Sequence, residues 1–118
     1  MPAESRPNIL FICTDQQRYD TLGCYGNPHI QTPHLDQLAR EGVLFEQCYV
    51  QSPVCAPSRA SLMTGLYPHA HGLWANGVPL PGRHALVTRA LADGGYDCGM
   101  VGKQHLAACF QGRTEPRQ

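Results

Sequence analysis

The chain has 118 residues, which is enough for one domain of ordinary size. Nine Lys and Arg balance nine Asp and Glu, so the zero net charge excludes the broad basic field of a nucleic-acid or anionic-membrane binder. Charged residues make up 15% of the chain and hydrophobic residues 42%. No apolar run approaches the roughly 18 residues that span a membrane. A neutral, charge-poor surface tends to associate, so we expect a partner or a larger parent protein.

The N-terminal residues are polar and include Pro2 and Pro7, so no secretory signal is predicted and the expected compartment is the cytoplasm. The six cysteines contain no Cys-x-x-Cys pair. In a reducing compartment we expect free thiols, most of them small core residues. A disulfide framework is the alternative, and it would need an oxidising compartment that nothing in the sequence indicates. The cysteines are Cys13, Cys24, Cys48, Cys55, Cys98 and Cys109.

The first predicted element is a strand at residues 8–14, a nearly unbroken apolar run of the kind that lies buried on both faces of a parallel sheet. The run ends at Asp15. Ligands of open α/β folds collect beyond the carboxyl ends of strands, so Asp15 has a possible functional role from position alone. Taken alone, an acidic residue that merely ends a strand is the simpler interpretation.

A helix is predicted next, with Thr32 as N-cap and Gly42 as the stop. Asp36 and Arg40 have the i,i+4 spacing of an ion pair. A second strand, residues 43–50, follows almost at once. Together these elements predict a βαβ unit.

The second half of the chain begins with a short helix that starts at Pro57 and ends at Gly65. Residues 66–83 show no hydrophobic periodicity, which predicts a long loop, either functional or poorly ordered. A helix at 85–93 and a strand at 96–101 follow. The side chains expected to point inward from that helix are Val87, Ala90 and Leu91.

Strands that alternate with helices predict an α/β fold with a parallel sheet. Three strands make a poor sheet of this kind, because its outer strands would be bare edges. The pattern therefore resembles the first half of a larger sheet.

The sequence CAPSR at residues 55–59 is the most informative stretch. Pro57 fits a first helical turn, which puts Cys55 at a helix N-terminus, where backbone N–H groups and the helix dipole favour an anion. Arg59 lies four residues on, so its guanidinium can sit on the same side. We expect a reactive thiol; a buried thiol beside a surface arginine is the alternative.

Five features of the sequence resemble, in order, those of the formylglycine-dependent sulfatases in the alkaline-phosphatase-like superfamily. The first is the strand that leads into Asp15, and the second is the pair of segments 32–39 and 42–45. The third is Cys-x-Pro-Ser-Arg with its following Leu, Thr and Gly. The fourth and fifth are the TGLYPHAHG run at 64–72 and the Gly95-Tyr96 and Gly-Lys-x-His-Leu pattern that ends at residue 106.

The resemblance implies an alkaline-phosphatase-like sulfatase fold, with a mostly parallel central sheet flanked by helices, of which the chain holds the N-terminal portion. It assigns residues 7–110 to the N-terminal part of the catalytic domain, with a disordered segment 1–6 and a truncated tail 111–118. The family's missing metal and sulfate ligands would lie downstream. We therefore expect the 118-residue chain alone to be inactive.

The resemblance also implies a nucleophile. A formylglycine-generating enzyme would oxidise Cys55 to an aldehyde, which hydrates to carry two hydroxyls on one carbon. One hydroxyl attacks the sulfur of a sulfate ester and expels the alcohol. The other loses its proton, and collapse to the aldehyde releases sulfate. Leu66 stands where the segment recognised by the modifying enzyme often has Arg, so we expect less efficient modification.

Further site residues follow from the resemblance. Asp15 matches a metal-binding carboxylate, and Gln16 replaces the family's common second Asp; the oxidised Cys55 would be a third ligand. Oxygen ligands suit Ca²⁺, with Mg²⁺ and Mn²⁺ as alternatives. The remaining catalytic residues are Arg59, which would hold the formylglycine, Lys103, which would contact a sulfate oxygen, and His105, which would contact the formylglycine hydroxyl.

The sequence therefore predicts a sulfuric ester hydrolase that acts on a small-molecule or carbohydrate sulfate ester and binds neither nucleic acid nor membrane. A phosphate or phosphonate monoester hydrolase of the same superfamily and a non-catalytic remnant are the alternatives. His69 and His71 have the spacing of a metal pair, although solvated side chains are the favoured interpretation. Trp74 fits a substrate pocket and a surface anchor equally well.

Overall fold

A computed structural model describes residues 6–107 of the chain. It divides the chain into two compact units, Met1–Cys48 and Tyr49–Gln118. The predicted disordered segment 1–6, apart from Arg6, lies outside the described residues, as do the predicted tail 111–118 and Cys109. The elements of the described part are 3₁₀ turns at Tyr19–Thr21 and Gly23–Tyr25 and helices α1 (Pro33–Glu41), α2 (Cys55–Thr64), α3 (Pro68–His71) and α4 (Val87–Asp93).

Helix α1 begins and ends where the sequence predicts. Pro33 occupies the first helical position, where its fixed φ suits a helix and its missing N–H costs nothing. Thr32 is the N-cap residue, and the Gly42 N–H closes the helix on the Leu38 carbonyl at 2.9 Å. Local sequence signals thus suffice to place this helix.

The carboxylate of Asp36 joins α1 to the 3₁₀ turns of the first unit. Its Oδ1 accepts hydrogen bonds from the Cys24 N–H at 2.7 Å and from the Thr32 hydroxyl at 2.9 Å. The Thr32 oxygen in turn accepts the Gly23 N–H at 2.8 Å. A Cβ at Gly23 would lie 2.6 Å from an Asp36 carboxylate oxygen, so this close approach requires glycine. The predicted Asp36–Arg40 ion pair is wrong, because the carboxylate binds backbone and hydroxyl donors instead.

The core of the second unit lies around α2. Ala56, Ala60 and Leu73 form one buried apolar cluster, with Leu80 and Leu106 packed against it. Helix α2 starts two residues before Pro57, earlier than predicted, and ends at Gly65 as predicted. Gly65 has a φ of 71°, a left-handed conformation that glycine adopts without strain.

The segment 66–83 departs from the predicted long loop. It contains the one-turn helix α3, which Gly72 ends with a φ of 82°. His71 and Leu73 within it are fully buried. The Leu80 N–H also donates to the Leu106 carbonyl at 2.9 Å, which ties the segment to residues 102–106. Within this segment, Leu73 is therefore part of the core and Leu80 packs against it.

Helix α4 is shorter than the predicted helix at 85–93, since Leu86 is its extended N-cap residue. The Gly94 N–H closes the helix on Ala90 at 3.0 Å. Leu91 is half-buried, but Val87 and Ala90 are exposed, so the predicted inward face is wrong at two of its three positions.

The three predicted strands do not form a sheet within residues 6–107. Segments 8–14, 43–50 and 96–101 carry no strand hydrogen bonding, and their apolar side chains are exposed, Leu10 at 85% and Val101 fully. A strand is defined by hydrogen bonds to a neighbouring strand, so an apolar segment without that neighbour stays irregular. The parallel sheet is not confirmed.

The cysteines are free, as predicted, at all five positions that the structure describes. Their expected place in the core is wrong: Cys24 and Cys55 are half-buried, and Cys13, Cys48 and Cys98 are exposed. Among the described helices, none has both the length and the apolar character needed to cross a membrane.

Candidate active site

Cys55 lies at a helix N-terminus, as the sequence predicts, and is itself the first residue of α2. Val54 before it is extended, and the Ser58 N–H makes the first turn's bond to the Val54 carbonyl at 3.0 Å. Pro57 has no N–H, so the backbone donors of this first turn that lack a partner within the helix belong to Cys55 and Ala56. The Cys55 side chain is half-buried at the positive end of the helix dipole, a position that favours a negative charge.

Asn76 contacts this helix start from a distant part of the sequence. Its Oδ1 accepts a hydrogen bond from the Cys55 thiol at 3.3 Å and another from the Ala56 N–H at 3.1 Å. One amide oxygen thus caps the helix and fixes the thiol. Asn76 was not among the predicted site residues, because an Asn-Gly dipeptide is typical of a turn and carries no signal for a helix 21 residues earlier.

Arg59 connects α2 to the predicted Lys103 segment. Its Nη1 donates a hydrogen bond to the Lys103 carbonyl at 2.7 Å. Three residues further on, Leu106 packs against the α2 core. The structure therefore brings Arg59 and Lys103 together, as the predicted site requires, although the observed contact uses the backbone of Lys103.

Two predicted site residues have unusual backbone conformations. Among residues 6–107, Gln16 (φ 56°) and His105 (φ 58°) are the non-glycine residues with positive φ. Such a conformation costs on the order of 1–2 kcal/mol for an L-residue, and it is found preferentially at functional sites. His105 is half-buried, and its Nδ1 is buried without a hydrogen-bond partner among the described residues. This ring nitrogen therefore keeps an unused hydrogen-bonding capacity within the described residues.

His71 is not solvated, contrary to the sequence interpretation. Its ring is fully buried, with Nε2 3.1 Å from the Ser61 hydroxyl oxygen and Nδ1 accepting the Leu73 N–H at 3.1 Å. Burial lowers the pKa of His71 below its usual 6.5; the Pro57 carbonyl opposes this shift, and the charges of His84 and His69 add to it. The imidazole is therefore neutral at pH 7.

The candidate metal pair of His69 and His71 is not formed. The His69 ring stacks on Tyr67 with ring centroids 5.8 Å apart, and the side chain is exposed. His71 uses both nitrogens within the protein. Trp74 is 70% exposed, which favours the surface interpretation of that residue.

Asp15 and Gln16, the predicted metal ligands, lie in the first unit, and both are exposed. A carboxylate and an amide carbonyl are donors that hard divalent cations accept. Within residues 6–107, no group of three or more His, Cys, Asp or Glu side chains is arranged to hold a metal ion. The two oxygens would be a small part of the six to eight that Ca²⁺ takes. We assign no catalytic step to a metal.

Comparison with known proteins gives consistent results. Residues 7–115 match the family profile described as Sulfatase. Mouse steryl-sulfatase is 40% identical over 125 residues, covering 97% of this chain and 20% of that protein. The solved structure of the yidJ protein from Bacteroides fragilis superposes with a TM-score of 0.85 at 37% identity, covering 97% of this chain and 27% of that one.

A second solved structure, the phosphonate monoester hydrolase of Agrobacterium radiobacter, superposes with a TM-score of 0.74 at 42% identity and covers 78% of this chain and 18% of that one. The chain spans about a fifth of the length of the curated relatives it matches. Because the family profile covers nearly all of its residues, the chain belongs to the sulfatase family.

Proposed function

We propose that the protein hydrolyses sulfate esters and that Cys55 is the precursor of its nucleophile. The observation that carries this proposal is the position of Cys55 at the start of α2, with Arg59 one turn along the helix and bonded to the Lys103 carbonyl. A sulfate group is a compact oxyanion. The helix dipole and two cationic side chains provide the charge that such a group needs.

Each residue of the site has a proposed task. Arg59 stabilises negative charge that develops on the oxygen attached to residue 55, and Lys103 binds a sulfate oxygen. His105 uses its unpaired Nδ1 to hold a proton near the nucleophile. Formylglycine, made from Cys55 by a formylglycine-generating enzyme, supplies a hydrated aldehyde whose two hydroxyls serve attack and release.

A divalent cation, with Ca²⁺ preferred over Mg²⁺ and Mn²⁺, is proposed to bind the side-chain oxygens of Asp15 and Gln16. The chemistry of the two side-chain oxygens supports a hard cation. The strained backbone of Gln16 supports a functional role at this position. When bound, the cation would supply Lewis-acid polarisation.

The fold proposal concerns the exposed apolar segments. We infer that residues 8–14, 43–50 and 96–101 are strands of a mostly parallel central sheet in a complete catalytic domain, of which residues 7–110 form the N-terminal part. Their apolar composition and exposure support this inference, because parallel strands need cover on both faces.

The cytoplasmic location stays a prediction.

The test uses the complete protein, produced together with a formylglycine-generating enzyme. Mass spectrometry of the peptide that contains Cys55 should show the thiol replaced by an aldehyde. Release of sulfate and phosphate from matched aryl esters is then measured for the wild type, C55A and the matched control C24A, which changes a half-buried thiol outside the proposed strands. We expect sulfate to be released faster, C55A to lose at least about a thousandfold in rate and C24A to be unchanged. Unmodified Cys55 in the active wild type, or full activity in C55A, would contradict the proposal.

A phosphate or phosphonate monoester hydrolase is the second candidate. The observation that favours it is the superposition on a phosphonate monoester hydrolase at 42% identity. Sulfate and phosphonate esters are both tetrahedral oxyanions, so the same cations would serve either substrate. Faster release from phosphate or phosphonate monoesters than from the matched sulfate ester would select this candidate.

A further inference from the structure

We propose that His71 is a positioning residue that fixes the side chain of Asn76 against Cys55. Its relevance to catalysis rests on the proposed function, in which Cys55 becomes the nucleophile. The contacts on which it depends exist in the unmodified protein. They can therefore be tested apart from any enzymatic activity.

The His71 ring bridges α2 and the segment that leads to Asn76. On one side, its Nε2 lies 3.1 Å from the hydroxyl of Ser61, which is on α2. On the other, its Nδ1 accepts the N–H of Leu73 at 3.1 Å. One buried ring thus ties the backbone at residue 73 to the helix that begins with Cys55.

Leu73 continues this connection through packing. Its side chain is fully buried in a cluster with Ala56 and Ala60 of α2. Asn76 follows three residues later and places its Oδ1 on the Cys55 thiol and the Ala56 N–H. The segment is therefore held at its start by His71 and at its end by Asn76, with Leu73 between them.

The hydrogen bonds fix the protonation state of the ring. Because Nδ1 accepts the Leu73 N–H, the ring proton is on Nε2, which donates to the Ser61 oxygen. A protonated ring has no acceptor, so only neutral His71 makes both bonds. The charges of His84 and His69 act on the ring, while α2 presents the Ser61 hydroxyl and the Pro57 carbonyl; burial and the two histidines favour the neutral form.

Asn76 needs this support because it is an exposed side chain in a loop. An exposed amide loses rotamer entropy when two hydrogen bonds fix it, and a mobile backbone would add to that cost. Fixing the backbone at residue 73 reduces the freedom that remains at residue 76. His71 thereby acts on Cys55 through Asn76, without touching the thiol itself.

The test measures alkylation of Cys55 by iodoacetamide in the complete protein, produced without the modifying enzyme so that the thiol is retained. Peptide mass spectrometry separates Cys55 from Cys24, a half-buried thiol outside the proposed strands that serves as the internal reference. The Asn76 oxygen covers the sulfur and holds its proton, so N76A should alkylate faster at Cys55 by about fivefold, the equivalent of one hydrogen bond. H71Q should change the rate in the same direction.

The double variant H71Q/N76A distinguishes positioning from general loosening. If His71 acts through Asn76, the double variant alkylates no faster than N76A alone. H71N, which keeps an acceptor for the Leu73 N–H, should recover part of the wild-type rate. Multiplied effects in the double variant, or a wild-type rate in H71Q, would overturn the proposal.

A second double-mutant cycle, built on Ser61 and Asn76, tests the proposal if H71Q does not fold. S61A removes the hydroxyl that the His71 Nε2–H contacts and leaves the ring in place. S61A alone should raise the rate of Cys55 alkylation by less than H71Q does. The double variant S61A/N76A should alkylate no faster than N76A. An S61A effect that persists in full beside N76A would contradict positioning through Asn76. Absence of sulfatase activity in wild-type protein produced with the formylglycine-generating enzyme would overturn the proposed function and leave these alkylation results unaffected.

Discussion

The two units of the chain are stabilised by different kinds of interaction. In the first unit, α1 and the 3₁₀ turns contain no fully buried residue, and the elements are joined by hydrogen bonds that backbone N–H groups donate to the side-chain oxygens of Asp36 and Thr32. In the second unit, α2 buries four of its ten residues. Packing fixes a helix in more directions than a few polar bonds do. Helix α2, which carries Cys55, is thus held in place more firmly than α1.

Truncation of the buried leucine should affect the second unit most. L73A removes the fully buried side chain that packs on Ala56 and Ala60. We expect the free energy of unfolding to fall by about 2–4 kcal/mol, from lost apolar burial and the cavity left behind. Denaturant unfolding of the complete protein measures this, and hydrogen exchange should show the lost protection in α2.

The matched control is L38A, since Leu38 is 66% exposed on α1. Its loss should cost less than about 0.5 kcal/mol. Equal losses for the two leucines would contradict the contrast between the units.

Removal of the Asp36 carboxylate should affect the first unit. D36A leaves the Cys24 N–H and the Thr32 hydroxyl without their acceptor, and the expected cost is about 1–3 kcal/mol. D36N keeps one acceptor oxygen and should lose less. Hydrogen exchange at Cys24 is the measurement; unchanged protection there in D36A would show that the carboxylate is not what holds this turn.

Acidification should weaken the second unit through His71. Its pKa is lower in the folded protein than the usual 6.5, so the unfolded chain binds more protons between the two values. This contribution to stability is complete above about pH 6.5 and is lost as the pH falls towards the lowered pKa. The unfolding midpoint measured from pH 7.5 to 5 should fall less steeply in H71N than in the wild type. Parallel curves would exclude His71 as the source.

The smallest effect is expected at the surface of α4. Arg89 and Asp93 form an i,i+4 ion pair with Nε and Oδ1 2.9 Å apart, and their side chains are 75% and 61% exposed. R89A should cost about 0.3 kcal/mol, and added salt should remove most of the difference. A loss above about 1 kcal/mol would mean that Arg89 has a role beyond this pair.

Structural features that depend only on neighbouring residues were predictable from the sequence. Pro33 and Gly65 fix one end each of α1 and α2, because a helix terminus depends on a few adjacent residues. Cys55 and Arg59 share one helix, so their relation also follows from spacing. The strands failed as predictions within the described residues, since an apolar run does not identify its hydrogen-bonding neighbour.

The supporting residues of the site were not predictable for a related reason. Asn76 and His71 act on α2 across 21 and 10 residues, through contacts that exist only after the chain has folded. The histidine showed nothing but a His-x-His pattern in a Gly- and Pro-rich segment, where a solvated side chain is the usual outcome. Its burial comes from packing of the segment 66–83 on α2, which no local period indicates.

The short sequence separation of these contacts bears on the order of folding. Closing a loop of about 10 residues takes on the order of 10–100 ns, and the entropy of closure rises only slowly with length. The Ser61–His71 and Cys55–Asn76 bonds therefore belong to the contacts that form early, whereas pairing of distant parallel strands is slow. A ribosome would release this region before residues 96–101, the last of the three proposed strands. The hydrogen bonds around Cys55 would then form before the proposed sheet is complete.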